Sequence, residues 1–178
     1  MPDDDIPQVS SNEEVNELVH KLKLQPHPAC TGWYREEYRS VARVLRKSDG
    51  QNRTAVTSIF FLHNGEVMGQ WRRLKSDEIF YWLRGDPIKV HILTTGHGNG
   101  LNYSSSVLGD IVSQEVAKAY QHSMPAGCYF ATEVLGAYAL TACVVAPGFE
   151  FADFSLVSME EMTETFPPYK DIIERFYK

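Results

Sequence analysis

The sequence is poor in cysteine, in positive charge and in long apolar runs. Only three of its 178 residues are cysteines, Cys30, Cys128 and Cys143, and none belongs to a CxxC pair, so neither a disulfide framework nor a structural zinc site is expected. A formal charge of −6 argues against binding to nucleic-acid backbones. No apolar run reaches the roughly 18–20 residues of a membrane-spanning helix. The acidic start MPDDDIPQVSSNEE is unlike a secretory or mitochondrial signal, which predicts a cytoplasmic protein without nucleic-acid or membrane partners.

Apolar and aromatic residues, at 43% and 12% of the chain, are plentiful enough to build a sizeable core. With 178 residues the chain has the length of one domain, by the usual range of roughly 100–200 residues. We therefore predict a single domain over residues 11–178. Residues 1–10 carry three consecutive aspartates and no periodic pattern, which predicts a disordered acidic tail.

Short β-branched and aromatic segments, separated by turn signals, occupy most of the chain between residues 33 and 154. Strands are predicted over residues 33–40, 54–63, 67–74, 78–84, 88–94, 119–124, 128–135, 138–146 and 149–154. Strands this short and this numerous are typical of a β-sandwich or barrel. The Asn64-Gly65 pair predicts a type I′ hairpin turn. The polar residues 96–106 are predicted to form a loop, either irregular surface or a lid.

A helix is expected on each side of the strand region. Ser11 and Glu14 have the spacing of a capping box, and an apolar stripe at helical spacing follows them. Ser158 and Glu161 repeat the box near the C-terminus, where a Pro-Pro pair ends a short helix and a second stripe begins. The predicted fold class is thus an all-β sandwich or barrel with an N-terminal helix and short C-terminal helices.

Several sequence blocks, in this order, resemble a small and poorly characterised branch of the cupin superfamily. The blocks are LQPHP at residues 24–28, WYREEYRS at 33–40, RLKSDEI at 73–79, GDP at 85–87, PAG at 125–127 and VAPGFEFADF at 145–154. The resemblance covers most of the chain. It implies a cupin double-stranded β-helix, or jelly roll, which forms a homodimer and has a pocket inside the barrel. It does not imply one established reaction.

Catalytic cupins hold a metal with two histidines and a glutamate from one motif and a histidine from a second motif. When that pattern is anchored on Glu78 and Gly85, the two histidine positions fall on Arg72 and Leu74. The histidine position of the second motif falls on Phe130. A single carboxylate does not hold a transition metal. We therefore expect neither a metal nor a cofactor at the usual cupin site.

Strand alternation predicts which side chains line the pocket, because residues two apart in a strand share a face. If Arg72 points inward, then Gln70 does so too, and the same rule extends from Glu78 and from Phe130. An inward arginine beside aromatic walls suits a phosphate, a carboxylate or a nucleotide. Arg39, from the YRS part of the second block, is expected to lie either in the pocket or in a dimer interface. The predicted ligand-binding residues are Arg39, Gln70, Arg72, Glu78, Phe80, Trp82, Phe130 and Thr132.

Two simpler interpretations compete with this pocket. The three aromatic residues of the set could be barrel core, and Arg72 could form a structural salt bridge with Glu78 across neighbouring strands.

His63 is predicted to lie at the surface, together with His20 and His97.

Three functions remain open at this point. The first is metal-independent binding of a small polar or anionic ligand, such as a sugar, a nucleotide or a sugar nucleotide. The second is an enzyme, either a sugar epimerase or isomerase or an atypical metal-dependent cupin, with His122, His91 and Tyr81 as candidate catalytic groups. The third is a non-catalytic scaffold, which would be favoured if the barrel lacked a cavity of roughly 300 Å³.

Overall fold

The computed structural model describes residues 10–96 and 100–178, and most of these residues form antiparallel strands. The predicted tail therefore lies outside the described residues, apart from Ser10. Among the described helices, none is both long and apolar enough to cross a membrane. In chain order the elements are α1 Glu13–Lys21, β1 Gln25–Pro26, β2 Trp33–Arg39, β3 Arg43–Leu45, β4 Asn52–Thr54, β5 Thr57–Asn64, β6 Gly69–Leu74, β7 Asp77–Gly85, β8 Ile88–Thr95, β9 Leu101–Leu108, β10 Gln121–Met124, β11 Tyr129–Val134, β12 Tyr138–Ala146, β13 Phe154–Leu156, α2 Met159–Thr165 and α3 Lys170–Glu174.

Two sheets face each other to form the barrel. The first has the strand order β1-β2-β5-β12-β7-β10 and the second has the order β13-β6-β11-β8-β9, while β3 and β4 form a separate small hairpin. From β5 to β8 each successive strand crosses to the opposite sheet, which is the connectivity of a jelly roll. The predicted all-β jelly roll with an N-terminal helix and short C-terminal helices is confirmed.

The crossing connections explain why the predicted hairpin at Asn64-Gly65 is wrong. Strand β5 pairs with β2 on one edge and with β12 on the other, so neither edge is left for β6. The turn therefore carries the chain from the first sheet to the second.

Three apolar cores follow from the alternation of side chains along these strands. The first lies between the sheets at one end of the barrel. The second lies under the C-terminal helices on the outer face of the second sheet, and the third lies under α1 on the outer face of the first sheet. The first core is centred on Ile88, Val90, Leu108 and Phe130. The second is centred on Trp71, Leu93, Phe166 and Ile173. The third is centred on Val15, Leu24, Leu62 and Leu140.

Strand β9 occupies most of the segment predicted to be a polar loop. Every residue from Leu101 to Leu108 pairs with a residue of β8, so the backbone ladder forms although three consecutive serines favour strands poorly. The loop prediction is wrong for this part of the segment, and residues 97–99 lie outside the described part of the chain.

The helix caps were predicted to within one residue. The N-cap of α1 is Asn12 and not Ser11, and its Oδ1 accepts hydrogen bonds from the backbone N–H groups of Glu14 and Val15 at 3.0 and 3.3 Å. At α2 the predicted cap is confirmed, since the Ser158 hydroxyl accepts from the Glu161 N–H at 3.1 Å.

A buried carboxylate ties the end of the barrel to the β3–β4 hairpin. Asp153 accepts two hydrogen bonds from Arg53, at 2.6 and 2.9 Å, and two from Arg46, both at 2.8 Å. These guanidinium groups, Arg53 first, hold the pKa of Asp153 well below its usual range. Because the carboxylate is fixed there, the predicted strand over residues 149–154 becomes a 3-10 helix, Phe151–Asp153, followed by β13.

Replacing Asp153 with asparagine should destabilise the fold, because two guanidinium groups would lose their buried anion. We expect Asp153→Asn to lower the free energy of unfolding by about 3 kcal/mol, as measured by urea denaturation. Glu17→Gln is the matched control, because it breaks the exposed Glu17–Lys21 pair and should change stability by less than about 0.5 kcal/mol. Equal effects of the two variants would contradict a stabilising role for the buried cluster.

Candidate functional site

A cavity of about 300 Å³ opens at the end of the barrel that the first core leaves unfilled. Strand β5 contributes every second residue to its wall, namely Thr57, Ile59, Phe61 and His63, as alternation requires. On the opposite side, the second sheet contributes Arg72 from β6 and Thr132 from β11. The volume lies at the lower end of the range for small-molecule sites, so side chains do not fill the barrel completely.

Arg72 and Glu78 both line this cavity, but they do not pair with each other. Within residues 10–96 and 100–178 there is no ion pair between them, so the salt-bridge interpretation is not supported. The Arg72 guanidinium instead stacks on Phe130, with Cζ 4.4 Å from the ring centroid, and donates one hydrogen bond to the carbonyl of Gln70 at 3.3 Å. Most of its donor capacity therefore remains directed to the cavity.

The carboxyl group of Glu78 has an unusual acidity. Burial raises its pKa to about 7 from an ordinary 4.5, while the positive charge of Arg72 acts in the opposite direction. No hydrogen-bond partner of this carboxyl occurs in the described part of the chain. Near neutral pH the protonated and ionised forms of Glu78 are therefore both populated. The protonated form can donate a hydrogen bond, whereas the carboxylate can only accept hydrogen bonds.

His63 lies in the cavity wall and not at the surface, so its sequence-based placement was wrong. Its side chain is buried because it continues the inward alternation of β5, a signal that was available in the sequence. Its Nε2 lies 3.0 Å from the Thr141 hydroxyl, which itself donates to the carbonyl of Phe61 at 3.3 Å. Burial, aided by the charge of Arg72, lowers the pKa of His63 to about 3, so the ring is neutral at physiological pH.

His27 lies at the cavity mouth, in the loop that follows β1. Its Nδ1 accepts hydrogen bonds from the backbone N–H groups of Cys30 and Ala29, at 2.9 and 3.2 Å. Burial, with a contribution from Arg72, lowers the pKa of this histidine to about 4. In the sequence His27 stands out only as part of the LQPHP block, because a loop residue has no strand alternation from which its direction can be inferred.

Arg39 also lines the mouth, but its charge is already paired. Two of its nitrogens donate to Glu36, at 3.0 and 2.8 Å, and Nη1 donates to Glu150 at 3.0 Å. A further bond from Nη2 to the carbonyl of Phe149, at 3.1 Å, holds the segment after β12 against β2. Arg39 therefore shapes the mouth, whereas Arg72 is the cation that faces the interior.

Gln70 was predicted to point inward, but its side chain is exposed and lies outside the cavity lining. The reason is a β-bulge in the pairing of β6 with β11. Phe130 lies opposite Arg72 and Thr132 lies opposite Gly69, so between these pairs two residues of β6 face one residue of β11. The bulge shifts the alternation by one residue, and Gly69 takes the inward position.

The aromatic residues of the predicted set all belong to the core between the sheets. Phe80 and Phe130 are buried members of this core, and Trp82 packs against it and donates its indole N–H to the carbonyl of Asp86 at 3.1 Å. Phe80 also lines the cavity, whereas Phe130 and Trp82 lie outside the lining. The core interpretation therefore holds for all three residues, although Phe80 also faces the cavity and Phe130 supports Arg72 from beneath.

The three candidate catalytic groups all lie outside the cavity lining. His91 is buried under the C-terminal helices on the outer face of the second sheet, where it contacts the Tyr103 hydroxyl at 2.8 Å and Glu133 at 3.3 Å. Tyr81 alternates with the inward Phe80 and so faces away from the barrel interior. His122 lies on the edge strand β10, opposite Phe80 in the register but beyond the cavity.

The donor set of the cavity does not fit a cupin metal centre. The positions where that centre needs ligands hold a guanidinium, two apolar side chains and one carboxyl, from Arg72, Leu74, Phe130 and Glu78. In the described part of the chain, no three His, Cys, Asp or Glu side chains come together in a way that could hold a metal ion. We therefore derive no step through a metal.

Comparison with known proteins places this geometry in context. Residues 16–157 match the family model described as Cupin superfamily (DUF985). A hypothetical protein from Leishmania major is 27% identical with a TM-score of 0.80, over 89% of this chain and 96% of that one. A protein from Shewanella oneidensis is 26% identical with a TM-score of 0.75, over 90% and 95% of the two chains. A dTDP sugar isomerase from Desulfovibrio desulfuricans, 13% identical with a TM-score of 0.51 over 75% and 85%, shares the fold alone. No curated protein matches the chain.

The acidity of Glu78 predicts how stability depends on pH. Because its pKa is raised in the folded state, folding takes up a proton, and this contribution to stability is lost as the pH rises from about 4.5 to about 7. Glu78→Gln should therefore be more stable than the wild type at pH 8, by up to about 3 kcal/mol at about 1.4 kcal/mol per pKa unit, and no more stable at pH 4. Thermal unfolding at both pH values measures the difference.

Glu66→Gln makes the same chemical change at an exposed position outside the cavity and is the matched control. It should show no gain in stability that grows with pH. A Glu78→Gln variant that behaves like this control would contradict the raised pKa of Glu78.

Proposed function

The chain belongs to the DUF985 family of the cupin superfamily, and from that premise we propose that its barrel binds a small anionic ligand, such as a nucleotide, a sugar nucleotide or another phosphorylated sugar, without a metal. The observation that carries this proposal is the guanidinium of Arg72, which lines the cavity without a carboxylate partner in the described residues. A buried cation is stable only when it is paired or hydrogen-bonded. The anionic group of a ligand would supply the missing partner.

The surroundings of Arg72 favour a phosphate or a carboxylate. A guanidinium has five N–H donors in a rigid fork, and only one hydrogen bond of Arg72, to Gln70, is made within the described chain. The ring of Phe130 lies beneath the guanidinium, with Cζ 4.4 Å from its centroid, and the planar fork of an arginine can donate two parallel hydrogen bonds to two oxygens of one anion.

Uncharged groups complete the wall around this cation. The Thr132 hydroxyl and the neutral imidazole of His63 line the same cavity, and Glu78 in its protonated form is a further donor. Hydroxyls, imidazoles and a carboxyl are the groups that hydrogen-bond the hydroxyls of a sugar. The wall thus suits a ligand that combines one anionic group with several hydroxyls.

Two adjacent arginines provide a matched test of this proposal. Arg72 stacks on Phe130 inside the barrel, and Arg73 stacks on Tyr129 on the opposite face, each with Cζ 4.4 Å from the ring centroid. We expect Arg72→Met to weaken the binding of ribose 5-phosphate at least about tenfold, since a hydrogen bond to a charged group contributes about 1.5–3 kcal/mol. Arg73→Met should leave the affinity unchanged. Isothermal titration calorimetry measures both.

Equal affinities for Arg72→Met and the wild type would contradict the assignment of this arginine.

A native mass spectrum of the untagged protein, purified without chelator, adds an independent observation. We expect it to show a homodimer without metal, and a retained small molecule would give the mass of the ligand.

One observation supports enzymatic proton transfer as a second candidate function. The pKa of Glu78, about 7, suits a general base that takes a proton from a carbon beside a carbonyl group and returns one from solvent, as in isomerisation and epimerisation. Ribose 5-phosphate incubated with the protein in D2O should then exchange its C2 proton for deuterium. Proton NMR measures this exchange as the loss of the C2 proton signal. Glu78→Gln should slow the exchange at least about tenfold while binding persists. An absence of exchange with the wild type would contradict this second function.

A further inference from the structure

His27 is fixed in one tautomer by its own loop. Its Nδ1 accepts hydrogen bonds from two backbone N–H groups, those of Cys30 and Ala29, and therefore cannot itself carry a proton. In the neutral ring the proton must then lie on Nε2. The loop thus presents an uncharged N–H donor, whose position depends on the backbone and not on a flexible side-chain partner.

This donor is available to a ligand. His27 belongs to the cavity lining, and no acceptor for its Nε2–H occurs among residues 10–96 and 100–178. Arg72 belongs to the same lining, so the cation and the donor address one cavity. A neutral donor recognises a carbonyl oxygen without the desolvation penalty that a charged group would carry.

Flat apolar surfaces surround the same donor. Tyr34 and Phe61, from the first sheet, have ring centroids 4.9 and 5.6 Å from that of His27. Phe151 and Phe154, from the segment that Asp153 anchors, have centroids at 6.0 and 6.3 Å. In this order the four rings meet that of His27 tilted or edge-on, at interplanar angles of 65°, 51°, 45° and 62°. All four also line the cavity, where aromatic rings can stack with the faces of planar ligands.

We infer that His27 and these four rings form a subsite for a planar ring that carries a carbonyl oxygen at its edge. This inference rests on the proposed function, because it places the anionic group of the same ligand at Arg72. It narrows the ligand to a nucleotide with a carbonyl-bearing base, in preference to a simple sugar phosphate. His27 is then the residue that determines this specificity.

The test compares two ligands that share a phosphorylated ribose and differ in the base, uridine 5′-monophosphate and ribose 5-phosphate. Their affinities are measured by calorimetry for the wild type, for His27→Phe and for Arg72→Met. His27→Phe keeps an aromatic ring but removes both the Nε2–H donor and the Nδ1 acceptor of the Cys30 and Ala29 N–H groups. Unchanged binding of ribose 5-phosphate by this variant is therefore the internal check that the rest of the cavity is intact. His20→Phe, at an exposed position on α1, is the matched control.

We expect the wild type to bind the nucleotide more tightly than ribose 5-phosphate. His27→Phe should weaken nucleotide binding by about 5- to 10-fold, the loss expected for one neutral hydrogen bond, and leave ribose 5-phosphate unaffected. Arg72→Met should weaken both ligands, and His20→Phe neither. Nitrogen-15 NMR of the wild type should show His27 neutral and protonated on Nε2 from pH 5 to pH 8.

Each contrary outcome has a distinct meaning. If both ligands bind through Arg72 with equal affinity, or if His27→Phe weakens both alike, the inference is overturned and the proposed function stands. If neither ligand binds, both are overturned. A proton on Nδ1 of His27 at neutral pH would overturn the inference without any ligand, and this result does not depend on whether the His27→Phe variant folds.

Discussion

The guanidinium of Arg72 is supported inside the barrel by the ring of Phe130 and not by a carboxylate, and the character of the cavity follows from that contact. Its positive charge adds to burial in lowering the pKa values of His63 and His27, so both rings are neutral. The same charge only partly offsets the effect of burial on Glu78. The interior of the cavity therefore combines the Arg72 cation with two neutral imidazoles and the Glu78 carboxyl, which titrates near neutral pH, whereas Arg39 at the mouth is paired with Glu36 and Glu150.

The shape of the cavity mouth depends on ion pairs at the mouth itself and on the Asp153 cluster beyond it. Asp153, fixed by Arg46 and Arg53, sets the path of the 3-10 helix that carries Phe151. Arg39 holds the preceding segment against β2. Arg39, Arg46 and Arg53 are thus paired with carboxylates of the chain itself. Of the four arginines, only Arg72 retains donors that face the cavity. The aromatic rim and the cation are thus positioned by different parts of the fold.

Much of the fold and part of the site could be predicted from the sequence. The cupin metal pattern supplied Arg72 and Glu78 as inward positions, and alternation from Glu78 and Phe130 added Phe80 and Thr132, all four of which lie in the cavity lining. Alternation failed for Gln70, where a bulge breaks the period. It could not reach His27, whose direction is set by backbone hydrogen bonds in a loop.

The sequence by itself determined an all-β sandwich or barrel with helical ends, since these follow from local patterns and residue types. Its resemblance to cupins added the jelly roll and the replacement of the metal ligands. Only the tertiary structure decided which end of the barrel is filled and which is open. It also decided that Arg72 and Glu78 remain unpaired and that His27 joins them. The physical reason is that pairing, burial and pKa depend on contacts between strands and loops distant in the chain, and no local pattern encodes those contacts.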